Sequence, residues 1–68
     1  MMLKFSENLK EEMNNGGISQ EALANRLGTT QATVSRWTSG VCQPDLETLL
    51  RICEFLEVTP NVLLGWED

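Results

Sequence analysis

The sequence predicts an all-α fold, a compact bundle of five short helices. Apolar residues recur every three or four positions along most of the chain, which is the spacing of a buried helix face. No run of β-branched residues alternates with polar ones, so no strand is predicted. Glycine and proline interrupt the apolar pattern at short intervals. A chain of 68 residues is the size of one small domain, and we expect residues 1–68 to form it.

The first two helices are predicted by their buried faces and by the residues that bound them. Phe5, Leu9 and Met13 form one stripe from about residue 4 to residue 14, where an Asn-Asn-Gly-Gly run ends the pattern. Ser19 is a typical N-cap for the second helix, and Gly28 is a typical residue for its end. The buried face of the second helix consists of Leu23, Ala24 and Leu27.

The segment from about residue 19 to residue 40 predicts a helix-turn-helix. Thr30 caps a third helix that ends before Gly40. Ala24 is small enough to let two helices cross closely, Gly28 makes the turn, and Val34 fills the space between the helices. Trp37 is expected to pack over this unit.

The C-terminal half predicts two further helices. Asp45 caps the fourth helix, and the Thr59-Pro60 pair begins the fifth, which Gly65 ends. Val62 is expected to face inward with its neighbour Leu63. Most apolar residues of the fourth helix are expected to be buried: Leu46, Leu49, Ile52, Cys53 and Leu56. Of the two thiols, Cys53 is thus expected in the core and Cys42 in an exposed loop.

From Phe5 to Gly65 the sequence resembles the phage-repressor/Cro-like (XRE-type) helix-turn-helix family. The resemblance implies a lambda-repressor-like DNA-binding domain whose second helix-turn-helix helix enters the major groove, with dimers reading half-sites ~34–36 Å apart. It rests on the joint spacing of these segments: Ser19-Gln20, Leu23-Ala24, Gly28, Thr30-Gln31, Val34-Ser35-Arg36-Trp37, Gly40, Gln43-Pro44, Leu46-Glu47-Thr48-Leu49, Val58-Thr59-Pro60 and Leu63-Leu64-Gly65.

The resemblance also implies roles for individual side chains. Gln31 is expected to pair with adenine, Ala32 to pack against a thymine methyl, and Arg36 to read guanine or hold a phosphate. Thr33 is expected to contact a base or a phosphate near the tip of the same helix. Contacts to the phosphate backbone are expected from Gln20, Thr30, Ser35, Ser39 and Gln43.

Four positions depart from the family pattern. Many relatives pair an arginine near the end of the first helix with a glutamate after the tryptophan; here Met13 or Asn14 and Thr38 occupy those positions. Losing both partners of an ion pair together leaves no unpaired charge. Val41 follows the loop glycine where a cation is common. Glu57 replaces a glycine, so either the turn differs or this residue is left-handed.

The net charge of −5 is unevenly distributed. Residues 19–40 carry two arginines and one glutamate, whereas residues 41–68 carry one arginine and six acidic residues. The acidic half is therefore expected to point away from DNA. We expect specific, strongly salt-sensitive binding with weak non-specific affinity, because non-specific binding is almost entirely electrostatic.

A dimer-forming part is expected at about residues 55–68. Phe55, Leu64 and Trp66 are more apolar than a solvent-exposed chain end requires, and a 68-residue monomer offers a small surface for tight DNA recognition. The alternative for Trp66 is that it folds back on its own domain.

The leading functional prediction is a small transcriptional regulator, a repressor that binds a palindromic operator in double-stranded DNA as a homodimer. The alternatives are an acidic protein-interaction module of the same fold, or an antitoxin or restriction-modification controller acting with a protein partner. An enzyme is not expected, since the chain has no histidine and no visible active site. No metal, cofactor or membrane segment is predicted, and the expected location is the cytoplasm.

Overall fold

A computed structural model describes residues 4–65 and confirms the all-α prediction. This part of the chain contains five helices and no strand. The helices are α1 (Phe5–Gly16), α2 (Gln20–Leu27), α3 (Gln31–Ser39), α4 (Leu46–Leu56) and α5 (Pro60–Leu64). Within the described range, every helix is too short and too polar to cross a bilayer.

Three helices begin at the side-chain caps that the sequence predicts. The side-chain oxygens of Ser19, Thr30 and Asp45 accept hydrogen bonds from backbone amides three residues further on, at 3.0, 3.2 and 2.9 Å respectively. These bonds satisfy amides that have no partner within the helix. Thr59 occupies the cap position of α5, but its side chain makes no capping bond. The start of α5 therefore depends on Pro60, whose fixed φ suits the first helical position.

Helix α1 ends within the Asn-Asn-Gly-Gly run, as the sequence predicts, two residues beyond the end of the predicted apolar stripe. The helix continues to Gly16, and Gly17 takes the left-handed conformation with φ +66°. The Ile18 amide then donates to the Met13 carbonyl at 2.8 Å, and the Ile18 side chain packs against the core. The packing of Ile18 stabilises the last half-turn of α1, although Asn and Gly residues have low helix propensity.

The core contains residues from all five helices. The predicted stripe of α1, the predicted face of α2, Val34 of α3 and Cys53 of α4 are all buried, as predicted. Trp37 is only 5 % exposed, which confirms that it is a packing residue. The twelve buried apolar side chains are Phe5, Leu9, Met13, Leu23, Ala24, Leu27, Val34, Trp37, Leu49, Ile52, Cys53 and Leu63.

Two predictions of burial and one of exposure were wrong. Leu46, the first residue of α4, is 68 % exposed, and Val62 of α5 is 43 % exposed. At about 100° per residue, Leu46 lies at the edge of the stripe centred on Leu49 and Ile52, beyond the reach of neighbouring helices. Cys42, expected to be exposed, is half-buried and packs against the core.

Glu57 resolves the alternative left open at the end of α4. It adopts φ 58° and ψ 44°, the left-handed conformation, and is the only non-glycine residue with a positive φ among those described. The Val58 amide donates to the Cys53 carbonyl at 3.0 Å across this turn. The chain thus makes a glycine-type helix end with a residue that carries a Cβ atom.

Candidate nucleic-acid interface

Helices α2 and α3 form the predicted helix-turn-helix. Gly28 takes φ +72° in the turn, and the Thr29 amide donates to the Ala24 carbonyl at 2.9 Å. Ala24 and Val34 are 2 % and 0 % exposed, so they fill the space between the two helices as their spacing predicted. This packing fixes the orientation of α3 relative to α2.

The surface of α3 opposite the core carries most of the predicted DNA-contacting side chains. We call it the α3 outer face. Val34, Trp37 and Thr38 point into the domain, and Thr33 is half-buried. The exposed members of the α3 outer face are Gln31, Ala32, Ser35, Arg36 and Ser39.

Hydroxyl groups near this face are held by local hydrogen bonds. The Thr30 and Thr33 hydroxyl oxygens lie 3.0 Å apart at the start of α3, and the Ser39 hydroxyl donates to the Arg36 carbonyl at 3.2 Å. By contrast, within residues 4–65 the Gln31 amide and the Arg36 guanidinium make no hydrogen bond or ion pair. These two groups are therefore available to base edges or phosphates.

A neutral hydrogen bond joins the start of α2 to the end of α3. The Gln20 side-chain amide donates to the Thr38 hydroxyl at 3.1 Å, and this hydroxyl donates to the Ser35 carbonyl at 3.1 Å. Thr38 is 6 % exposed, and no buried side-chain nitrogen or oxygen in the described part lacks a partner. Gln20 is half-buried and is held before any ligand arrives. Gln43, the last of the five predicted backbone contacts along the chain, is exposed in the loop before α4.

A cleft of about 310 Å³ opens beside this hydrogen bond. We call it the α1–α2 cleft, because Met13 and Ile18 form its apolar part and Gln20 lies on its polar side. The sequence indicated Asn14 only as a possible position of the family's arginine, and it did not single out Lys10. They lie four residues apart, and so on one side of α1, which is the signal that identifies them. The complete lining is Lys10, Met13, Asn14, Ile18, Ser19, Gln20 and Thr38.

Two of the residues predicted to form a dimer contact, Phe55 and Leu64, lie on helices that make no contact with α3. Phe55 is half-buried, with the Arg26 guanidinium carbon 5.3 Å from its ring centroid, a cation–π distance. Leu64 is half-buried and packs against the core. Trp66 lies outside the described residues. Beside Phe55, the Arg51 guanidinium donates to the Leu27 carbonyl at 3.4 Å, at the C-terminal end of α2.

Among residues 4–65, the potentially metal-binding side chains form no site of their own. No group of three or more His, Cys, Asp or Glu residues in the described range is placed to hold a metal ion. Burial raises the pKa of the Cys53 thiol. This thiol therefore stays neutral and acts as a small apolar core group.

The packed α2–turn–α3 unit and its exposed polar face define a helix-turn-helix domain. A family model described as Helix-turn-helix matches residues 9–63. The chain belongs to this family, in its XRE-type branch, as the resemblance predicted.

Similar proteins and structures are transcriptional regulators by name. The HTH-type transcriptional activator BcrR of Enterococcus faecalis is 33% identical over 66 residues, which is 97% of this chain and 32% of that protein. The uncharacterized HTH-type transcriptional regulator YqaE of Bacillus subtilis is 35% identical over 64 residues, covering 94% and 55%. A crystal structure of a transcriptional regulator from Listeria innocua superposes with a TM-score of 0.86 at 28% identity, covering 94% and 60%. The chain therefore spans from about one third to three fifths of these proteins.

Proposed function

We propose that this chain is a sequence-specific double-stranded DNA-binding domain of a transcriptional regulator. The observation that carries the proposal is the α3 outer face, where Gln31 and Arg36 present unpaired polar groups from a rigidly packed helix. Exposed long polar side chains on the second helix of a helix-turn-helix suit direct readout in the major groove. The named functions of the relatives support the same conclusion.

In the proposed complex, the tip of α3 reads bases and the surrounding segments hold the backbone. Gln31 pairs with adenine, Ala32 packs on a thymine methyl, Thr33 contacts the adjoining base or phosphate, and Arg36 reads guanine. The proposed phosphate contacts are Gln20, Thr30, Ser35, Ser39 and Gln43. Gln20 is favoured as an ordered contact because its amide is already held by Thr38.

We further propose that the domain acts as a homodimer on a palindromic operator and represses by occupying it. A protein that occludes polymerase needs no activity other than DNA binding. A twofold dimer doubles the DNA-contacting surface, which is small in one 68-residue chain. The half-buried Phe55 and Leu64, together with Trp66, remain the proposed contact between protomers.

The test is the selection of bound duplexes from a random pool at low salt, followed by sequencing. We expect an enriched inverted repeat with half-sites about one helical turn apart. Arg36→Ala and Gln31→Ala should each cost about 1–3 kcal/mol and relax preference at one position, whereas Gln20→Ala should weaken all duplexes alike. Asn25→Ala, an exposed substitution on α2, is the matched control and should change neither.

A contrary result would be a protein that is folded by circular dichroism and enriches no sequence. This result would favour the alternative function, an acidic protein-interaction module of the same fold that does not bind DNA. One observation favours that alternative: Leu46 and Leu50 are 68 % and 47 % exposed, one turn apart on α4, with the exposed Glu47 and Glu54 on the same helix.

A further inference from the structure

We propose that the α1–α2 cleft seats one backbone phosphate of the duplex and that Lys10 supplies the positive charge of this seat. The proposal rests on the DNA binding proposed above, and it adds a residue from α1 to an interface otherwise built from α2, α3 and their loops.

The position of the cleft follows from its walls. Gln20, the proposed backbone contact at the start of α2, lines it together with Ser19 and Thr38. Lys10 lines the same cleft from α1. A phosphate in the cleft that accepts a hydrogen bond from the side-chain amide of Gln20 therefore lies beside the Lys10 side chain. The volume of about 310 Å³ leaves room for the phosphate and its water.

The charge of the cleft suits an anion. Lys10 is the only charged residue among those that line it, and within residues 4–65 its ammonium group makes no ion pair. The family resemblance places a glutamate where this chain has Thr38. Thr38 contributes a neutral hydroxyl that is satisfied by Gln20 and by the Ser35 carbonyl. A carboxylate at this position, with no arginine to pair it, would repel a phosphate.

The other cations of the chain have different positions. Arg26 lies over the Phe55 ring, and Arg51 donates to the Leu27 carbonyl. Lys4 lies at the opposite end of α1, where its side chain approaches Gly65. Arg36, on the α3 outer face, and Lys10 are the two cations that remain for DNA. Because the loop after Gly40 carries no cation, Lys10 is the cation placed to neutralise a phosphate beside α2.

The experiment compares Lys10→Gln with Lys4→Gln by fluorescence anisotropy on a selected duplex between 50 and 200 mM salt. Both variants remove one positive charge from an exposed position on or beside α1. Lys10→Gln should reduce the slope of log affinity against log salt by about 0.9, the value of one neutralised phosphate. The ratio of the parent's affinity to that of Lys10→Gln should therefore fall by a factor of about 3.5 between 50 and 200 mM salt. The deficit should be the same on specific and unrelated duplexes.

Two further variants separate a direct contact from a general charge effect. Lys10→Arg should restore the salt slope of the parent. Thr38→Glu should weaken binding to every duplex, provided that circular dichroism shows it folded. Equal slopes for Lys10→Gln and Lys4→Gln, with a parent chain that binds its operator, would overturn the phosphate seat and leave the proposed function standing. A parent chain that binds no duplex would overturn the proposed function itself.

Discussion

At the scale of single residues, Glu57 carries backbone strain that the chain can lose. A residue with a Cβ atom in the left-handed conformation costs about 1–2 kcal/mol, and glycine avoids this cost but loses more entropy on folding. Glu57→Gly should therefore raise the free energy of unfolding by roughly 0.5–1 kcal/mol, with an increase in Tm of about 4 °C in a thermal melt.

The matched control for this prediction is Glu54→Gly. It removes the same charge from an exposed position inside α4, where glycine costs about 1 kcal/mol relative to alanine. Opposite shifts of Tm in the two variants would identify backbone conformation as the cause. Equal losses in both would contradict the strain argument.

Single-residue features could be predicted from the sequence only where the residue type favours one local conformation. Ser19, Thr30 and Gly28 took the capping and turn roles that the sequence predicted, because those roles depend on local chemistry. Glu57 left two alternatives open. The sequence pattern predicts where α4 ends, but it does not fix which residue takes the left-handed conformation there. The Gln20–Thr38 hydrogen bond joins residues 18 positions apart, so no local sequence pattern predicts it.

At the scale of the element, α4 begins at a cap whose strength depends on pH. Hydrogen bonds from the side chain and then from the backbone amide of Thr48 lower the pKa of the Asp45 carboxyl. A lowered pKa in the folded state means that the ionised carboxylate stabilises the fold. This contribution is present above the ordinary aspartate pKa of about 3.9 and is lost as pH falls through the lowered value.

We expect Asp45→Ala to lower Tm at pH 7 and to lose that deficit in thermal melts taken at progressively lower pH. Asp45→Asn is the control, because its amide oxygen accepts the same hydrogen bond without titrating. Its Tm difference from Asp45→Ala should persist at low pH. A deficit of Asp45→Ala that stays constant down to pH 2 would show that the carboxylate charge does not act in this cap.

Packing decided the details of the elements that the sequence left open or predicted wrongly. Helix α1 continues to Gly16, two residues past the predicted apolar stripe, because Ile18 packs against the core. Leu46 was expected in the buried stripe of α4, but periodicity gives only the direction of a side chain and not whether another helix covers it. Cys42 is covered for the same reason, since the loop that carries it lies against the core. The α1–α2 cleft likewise exists only after α1, α2 and α3 meet.

At the scale of the whole molecule, the charge distribution predicts two opposing salt responses. Residues 19–40, the helix-turn-helix segment, carry two arginines and one glutamate, whereas residues 41–68 carry one arginine against six acidic residues. If the proposed dimer joins protomers through residues 55–68, it brings two acidic surfaces together. Salt screens that repulsion, since the Debye length falls from about 10 Å at 0.1 M to about 3 Å at 1 M.

Self-association should therefore strengthen with salt while DNA binding weakens. Sedimentation equilibrium should show a dimer Kd that falls from 0.05 to 1 M salt, and anisotropy should show a rising Kd for the operator. Phe55→Glu should be monomeric throughout, because it places a carboxylate in the proposed contact. Val41→Glu adds the same charge to an exposed loop outside that contact, and it should dimerise as the parent does. An unchanged dimer for Phe55→Glu would place the contact elsewhere, and a dimer that weakens with salt would show that its interface joins opposite charges.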